Sequence, residues 1–315
     1  MAKSYYAGSY KNRGRNRGKI IFIIIVLVQL AIVGAYLHFK SGKADIEEGA
    51  SPSMPAPAEL APASPQAPSV AVSNYVPAPE TQAIISDARA AIDAGQLLDA
   101  QTTLNNLVDS HPDPEAIKLL GEVNMKLLKS SLMMPGKEWY TIQAGDYLQK
   151  IAKKFNTTVA LIKAMNGMQS DTIRLGDRLL VFNERFSIRV SKSRNELDLM
   201  LGNRIFKRYS VGTGKFGKTP AVEFTIVDKI VEPPWTRPSD NKRVEYGDPE
   251  NVLGSRWMAI RSADHPELTG FGIHGTWARD SIGKQSSAGC IRMLNEDVEE
   301  LFDLVPRKTS VTISE

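Results

Sequence analysis

The chain contains one cysteine and four histidines, so only a few side chains could act as nucleophile or base. Cys290 lies in Ser286-Ser287-Ala288-Gly289-Cys290-Ile291-Arg292-Met293, with a glycine before it and an arginine two places after. Glycine frees backbone N–H groups to face a developing oxyanion, and arginine brings positive charge toward the thiol. An ordinary thiol is mostly protonated at neutral pH, so a reactive one needs a base or a cation beside it. His274 is the matching base. It lies 16 residues upstream in Gly270-Phe271-Gly272-Ile273-His274-Gly275-Thr276, where apolar neighbours predict a strand end and glycines permit close backbone approach. His38 borders a hydrophobic run, His111 precedes a proline in a turn, and His265 sits in the polar turn Asp264-His265-Pro266-Glu267. On residue types alone, Cys290 is either a nucleophile or a buried structural thiol. No HExxH, CxxC, P-loop or dinucleotide fingerprint occurs, so neither a metal nor a cofactor is expected.

The elements that must hold this pair fall in the last 130 residues. Runs such as 186–190 and 224–227 are rich in β-branched and aromatic residues, with turn signals between them, and a helix is expected near Glu296–Asp303. Upstream, residues 81–134 show apolar residues at helical spacing, broken at Gly95 and at His111-Pro112-Asp113-Pro114. Residues 40–80 are mainly Ala, Pro and Ser, a composition that extends and cannot bury a core.

The formal charge of +4 is unevenly placed. Residues 1–43 hold eight basic side chains and no acidic one, which leaves the body at −4 and argues against a nucleic-acid partner. After the basic tail 1–19 comes the uncharged run 20–39. Its length suits a bilayer span of roughly 30 Å. Basic residues before it place the N-terminus in the cytoplasm and the body outside. A cleaved signal peptide is the other reading, and either exports the body. A single cysteine there cannot form an intrachain disulfide.

Three resemblances add to this. Residues 138–183, with YTIQAGD, an IAKKF helix, an Asn166-Gly167 stop and the ending IRLGDRLLV, resemble a LysM module of βααβ form. That resemblance implies binding to glycan strands of peptidoglycan. Asp146 is expected to start the first helix, and Tyr147 replaces the small hydroxyl residue usual after it. Residues 81–134 resemble a tetratricopeptide-like unit and a half, with a possible protein partner. Residues 186–315 resemble the L,D-transpeptidase (YkuD-like) catalytic domain through IHGT, SIGKQSSAGCIRM, YSVGTG, KTP with EFTI, and NVLGSRW. The fold implied is multidomain: transmembrane helix, helical segment, LysM module and a mostly-β catalytic domain.

The family resemblance assigns Cys290 as nucleophile, His274 as base and the Gly275 carbonyl as the group that orients the ring. Backbone N–H groups of Gly289 and Cys290 are the expected oxyanion donors. Arg292 and Ser287 are expected to position the loop or the substrate, and Trp277 to line the mouth. The implied reaction forms a thioester with a tetrapeptide stem, releases D-alanine, and transfers the acyl group to an amine, giving 3–3 cross-links. The alternatives are a carboxypeptidase using water and a non-catalytic peptidoglycan tether. Two positions depart from the family pattern. Ala288 stands where histidine is common, and Val222 stands where a glycine usually closes the Thr-Pro turn.

Overall fold

The computed structural model describes residues 78–315. The expected basic tail and anchor, and the linker up to residue 77, lie outside the described residues. Among the described residues, no helix is long and apolar enough to cross a membrane.

Three helices come first: α1 (Pro79–Asp93), α2 (Leu97–Ser110) and α3 (Pro114–Lys129). Helix α1 therefore begins inside the expected linker. Asp113 caps α3, its carboxylate accepting from the backbone of Glu115 and Ala116 at 2.8 and 3.0 Å. The next unit contains β1 (Lys137–Thr141), α4 (Leu148–Lys154), α5 (Val159–Met165) and β2 (Arg178–Phe182), with β1 and β2 antiparallel. It has its own small core around Ile151, Phe155, Ile162 and Val181. Asp146 does not cap α4. Its carboxylate accepts from Tyr140 Oη at 2.6 Å and from the Gln143 N–H at 2.9 Å, so it staples the preceding turn. Tyr147 takes the cap position without a side-chain bond.

The remaining elements are β3 (Phe186–Ser191), β4 (Glu196–Leu201), β5 (Arg204–Ser210), β6 (Thr213–Gly214), β7 (Glu223–Val231), β8 (Trp235–Thr236), β9 (Arg243–Val244), β10 (Arg256–Arg261), β11 (Gly272–Thr276), β12 (Gln285–Ser287), β13 (Ile291–Leu294), α6 (Asn295–Leu304) and β14 (Ser310–Ser314). Eight strands form one mixed sheet in the order β13-β11-β10-β7-β14-β3-β4-β5. The short pairs β12-β6 and β8-β9 stand apart.

The expected tetratricopeptide-like segment is fastened to this sheet. Strand β5 carries a bulge at Phe206, which frees its carbonyl from the ladder. Asn124 on α3 donates to that carbonyl at 2.8 Å, and Gln101 on α2 donates to Asn124 Oδ1 at 2.6 Å. Gly121 lets α3 approach closely, since a Cβ there would meet the Lys207 side chain at 3.0 Å. Leu104, Leu120, Phe182, Phe206 and Leu301 belong to one buried apolar cluster that spans all three sections. Thr158 Oγ1 also donates to the Asp303 carbonyl on α6. Helices, βααβ unit and sheet thus share a core.

Candidate active site

Strand β11 is buried along its whole length and lies next to the sheet edge, between β10 and β13. Register places His274 opposite Trp257 on β10 and opposite Arg292 on β13. Facing positions in a ladder project to one side, so the three side chains share a face. The Trp257 ring lies 5.7 Å from the imidazole between centroids. It also covers Gly272, where a Cβ would come within 2.5 Å of the indole. Glycine at 272 is what allows the tryptophan to pack there.

His274 is buried, and its Nδ1 is 2.6 Å from the Gly275 carbonyl oxygen. That carbonyl can only accept, so Nδ1 carries the proton and Nε2 bears the lone pair. Burial pushes the His274 pKa down to about 4. The carbonyls of Gly275 and Leu253 oppose the shift, and the nearby Arg292 charge adds to it. The imidazole is therefore neutral at pH 7, the form a proton acceptor needs.

Cys290 stands in the turn between β12 and β13, half-buried. Ser287 organises that turn. Its hydroxyl donates to the Cys290 carbonyl at 2.6 Å and accepts from the Gly289 N–H at 3.0 Å. The Gly289 N–H is thereby engaged, which corrects its expected role as an oxyanion donor and leaves the Cys290 N–H. Gly289 has φ +140°, and a Cβ there would meet the Phe271 ring at 2.8 Å, so only glycine fits. The Cys290 thiol donates to the Gly270 carbonyl at 3.6 Å. Burial raises its pKa, opposed by a backbone bond from Gly272 and by the Arg292 charge. At rest the pair is a neutral thiol beside a neutral imidazole.

Thr219 is a positioning residue that sequence reasoning missed. Its hydroxyl accepts from the Gly214 N–H at 2.8 Å and donates to the Gly289 carbonyl at 2.8 Å. It ties β6 to the cysteine turn across 70 residues of chain. The only sequence signal was its place in the Lys218-Thr219-Pro220 motif. Val222, two residues beyond that motif, does not take a positive φ and packs against the core, so no glycine is required there.

Cys290, His274 and Arg292 open onto a cleft of about 650 Å³, within the range of small-ligand sites. Ser287, Ala288 and Gly289 form part of the same wall. Another wall segment is Pro233-Pro234-Trp235, and Leu253 and Phe271 also line the cleft. Asn251 pins that wall, its amide donating to the Pro233 carbonyl at 2.9 Å. Trp277 does not line the cleft. It is 55% exposed and packs against Tyr246 at 6.3 Å between centroids. Gly275 sits behind His274, against Asn295, Ser255 and Val298. His265 pairs with Glu267 at 3.3 Å, and His111 ends α2, both outside the cleft.

Residues 185–313 match the L,D-transpeptidase catalytic domain family, and residues 140–182 match the LysM domain family. A Bacillus subtilis protein named L,D-transpeptidase YqjB is 40% identical over 127 residues, covering 40% of this chain and 69% of that protein. Another from the same organism, named L,D-transpeptidase YkuD, is 34% identical over 183 residues, 56% of this chain and 98% of its own length. Among solved structures, an L,D-transpeptidase from Mycobacterium smegmatis aligns with 16% identity and a TM-score of 0.35, over 44% of this chain and 64% of that one. The catalytic domain of the Enterococcus faecium L,D-transpeptidase aligns with 23% identity and a TM-score of 0.34, over 42% and 98%.

Proposed function

The chain belongs to the L,D-transpeptidase family, and from that premise we propose that Cys290 carries the acyl group of a peptidoglycan stem as a thioester. The supporting observation is the neutral His274, with Nδ1 bonded to the Gly275 carbonyl, lining the same cleft as Cys290. In the first step Nε2 of His274 takes the thiol proton, and Sγ attacks the last amide carbonyl of a tetrapeptide. The Cys290 N–H stabilises the oxyanion, a donor worth roughly 3 kcal/mol in such sites. The C–N bond then breaks, and the imidazolium returns its proton to the departing D-alanine nitrogen. In the second step a stem amine gives a proton to His274, attacks the thioester and expels the thiol, leaving a 3–3 cross-link. The thiol's bond to the Gly270 carbonyl is broken before attack, a rearrangement common when substrate enters.

The LysM match supports glycan binding by residues 140–182, which would bring stems to the cleft. The basic tail and the apolar run 20–39 support a membrane anchor with the body on the outer side. The test is mass spectrometry of the chain with a disaccharide-tetrapeptide, comparing Cys290→Ala. Loss of D-alanine with formation of a dimer, both absent in the variant, is the expected result. A tripeptide alone would indicate hydrolysis. An unmodified substrate and no adduct on Cys290, in folded protein, would refute the reading.

A further inference from the structure

Beside the cysteine turn the chain makes a strained turn, Lys215–Gly217, between β6 and Thr219. Phe216 takes φ +53°, a left-handed conformation that bulky residues rarely adopt, and Gly217 follows at φ +70°. Strain of this kind clusters at ligand-holding segments. Phe216 is also 93% exposed, so its ring buries almost nothing within the fold. The turn itself is firmly tied. The Lys218 N–H donates to the Lys215 carbonyl at 3.1 Å, and Thr219 bridges Gly214 and Gly289. A Cβ on Gly289 would lie 2.8 Å from the Phe271 ring and 3.1 Å from the Lys218 carbonyl. Gly289 and Phe271 line the cleft, so the turn borders the cleft at that rim. The rim is cationic. Lys215, Lys218 and Lys284 are exposed, and the Lys284 carbonyl accepts from the Thr213 N–H at 3.1 Å, which sets it beside β6. Among the described residues, none of these three lysines pairs with a carboxylate.

We infer that this rim docks the acceptor stem, with Phe216 packing on its aliphatic part and Lys215, Lys218 and Lys284 holding its carboxylates. The inference rests on the transpeptidase reading above and adds a surface for the second reactant. The donor acyl chain occupies the cleft to reach Cys290, and the turn lies outside the residues that line it. The acceptor arrives when the cleft is already filled, so it must approach the thioester over a rim. A peptide stem matches this one in chemistry. It carries carboxylates for the unpaired lysines and the alkyl chain of its diamino residue for the phenyl ring. A ring already fixed on a tied turn loses little freedom on docking. Holding the amine beside the thioester raises its effective concentration, and water gains nothing from either contact, so the rim favours cross-linking over hydrolysis. A lipid surface would need a wider apolar face than one ring.

The experiment uses the full-length chain in detergent micelles and follows products by mass spectrometry. Single-turnover release of D-alanine from a disaccharide-tetrapeptide reads acylation. Partition of the thioester between water and added disaccharide-tripeptide reads transfer, because the tripeptide lacks the terminal D-alanine and serves only as acceptor. Phe216→Gly should leave acylation within about twofold of wild type while requiring about five- to tenfold more tripeptide for equal transfer. Its thermal midpoint should equal or exceed that of wild type, because glycine takes a positive φ without strain. Phe216→Tyr should behave as wild type. Raising KCl from about 0.05 to about 0.3 M should increase the tripeptide requirement about threefold in wild type and little in Lys215→Gln/Lys218→Gln, since salt screens exposed charges. An unchanged tripeptide requirement in Phe216→Gly would overturn the inference and leave the transpeptidase reading intact. So would equal slowing of acylation and transfer, or a lowered midpoint, since either marks a turn that only braces the cysteine. A defect seen in phosphatidylglycerol liposomes but not in micelles would assign the rim to lipid and overturn the inference too. Failure of wild type to release D-alanine would overturn the transpeptidase reading, and this inference with it.

Discussion

Acidifying the protein from pH 7 to pH 5 should remove about 2 kcal/mol of folding stability through His274 alone. The imidazole has a pKa of about 4 in the folded chain against 6.5 when free, mainly because burial penalises its charged form. A group whose pKa is depressed by folding binds fewer protons in the native state. Its contribution is therefore intact above pH 6.5, declines as the pH falls toward 4, and levels off below that. A shift of this size amounts to roughly 3 kcal/mol in full, of which about 2 is lost by pH 5. The assay compares residues 73–315 with the same segment carrying His274→Gln, by urea denaturation at pH 7 and pH 5. Other titrating groups affect both proteins alike and cancel in the double difference. Wild type should lose about 2 kcal/mol more than the variant on acidification. Parallel losses, within about 0.5 kcal/mol, would show that the imidazole charges freely in the fold. The account of a neutral base would then fail.

Thr219→Val should strand the Gly214 N–H and the Gly289 carbonyl, destabilising the protein by about 1–3 kcal/mol and slowing acylation of Cys290. Thr219→Ser should restore both the thermal midpoint and the acylation rate, and a Val protein matching wild type in both would disprove the bridge. Asn124→Leu removes the link between Gln101 and the bulged Phe206 carbonyl, at a predicted cost of about 2 kcal/mol. A double-mutant cycle with Gln101→Ala should show coupling above about 0.5 kcal/mol, and strict additivity would mean that the helices do not share this network with the sheet.

The cysteine, the histidine and the arginine that meet at one cleft stand out in the sequence because each is chemically distinctive and carried in a short local motif. The β-rich character from residue 186 and the two short helices of the βααβ unit were legible from periodicity and turn signals, which act over a few residues. What the sequence could not show depends on contacts between distant segments. The Gly289 N–H is engaged by the Ser287 hydroxyl, a contact set by the folded turn. Thr219 reads as an ordinary turn residue until β6 and the cysteine turn meet. Trp277 follows the histidine strand closely, yet the chain carries it past the cleft to Tyr246. The apolar residues at helical spacing in 81–134 meet β5 and its bulge, a contact that periodicity alone cannot name.

Arg292 exerts opposite effects on the two groups that must exchange a proton. Its charge holds down the His274 pKa and weakens the base, while also lowering the Cys290 pKa and strengthening the acid. Burial dominates both shifts and moves both groups toward neutrality, so the proton rests on sulfur.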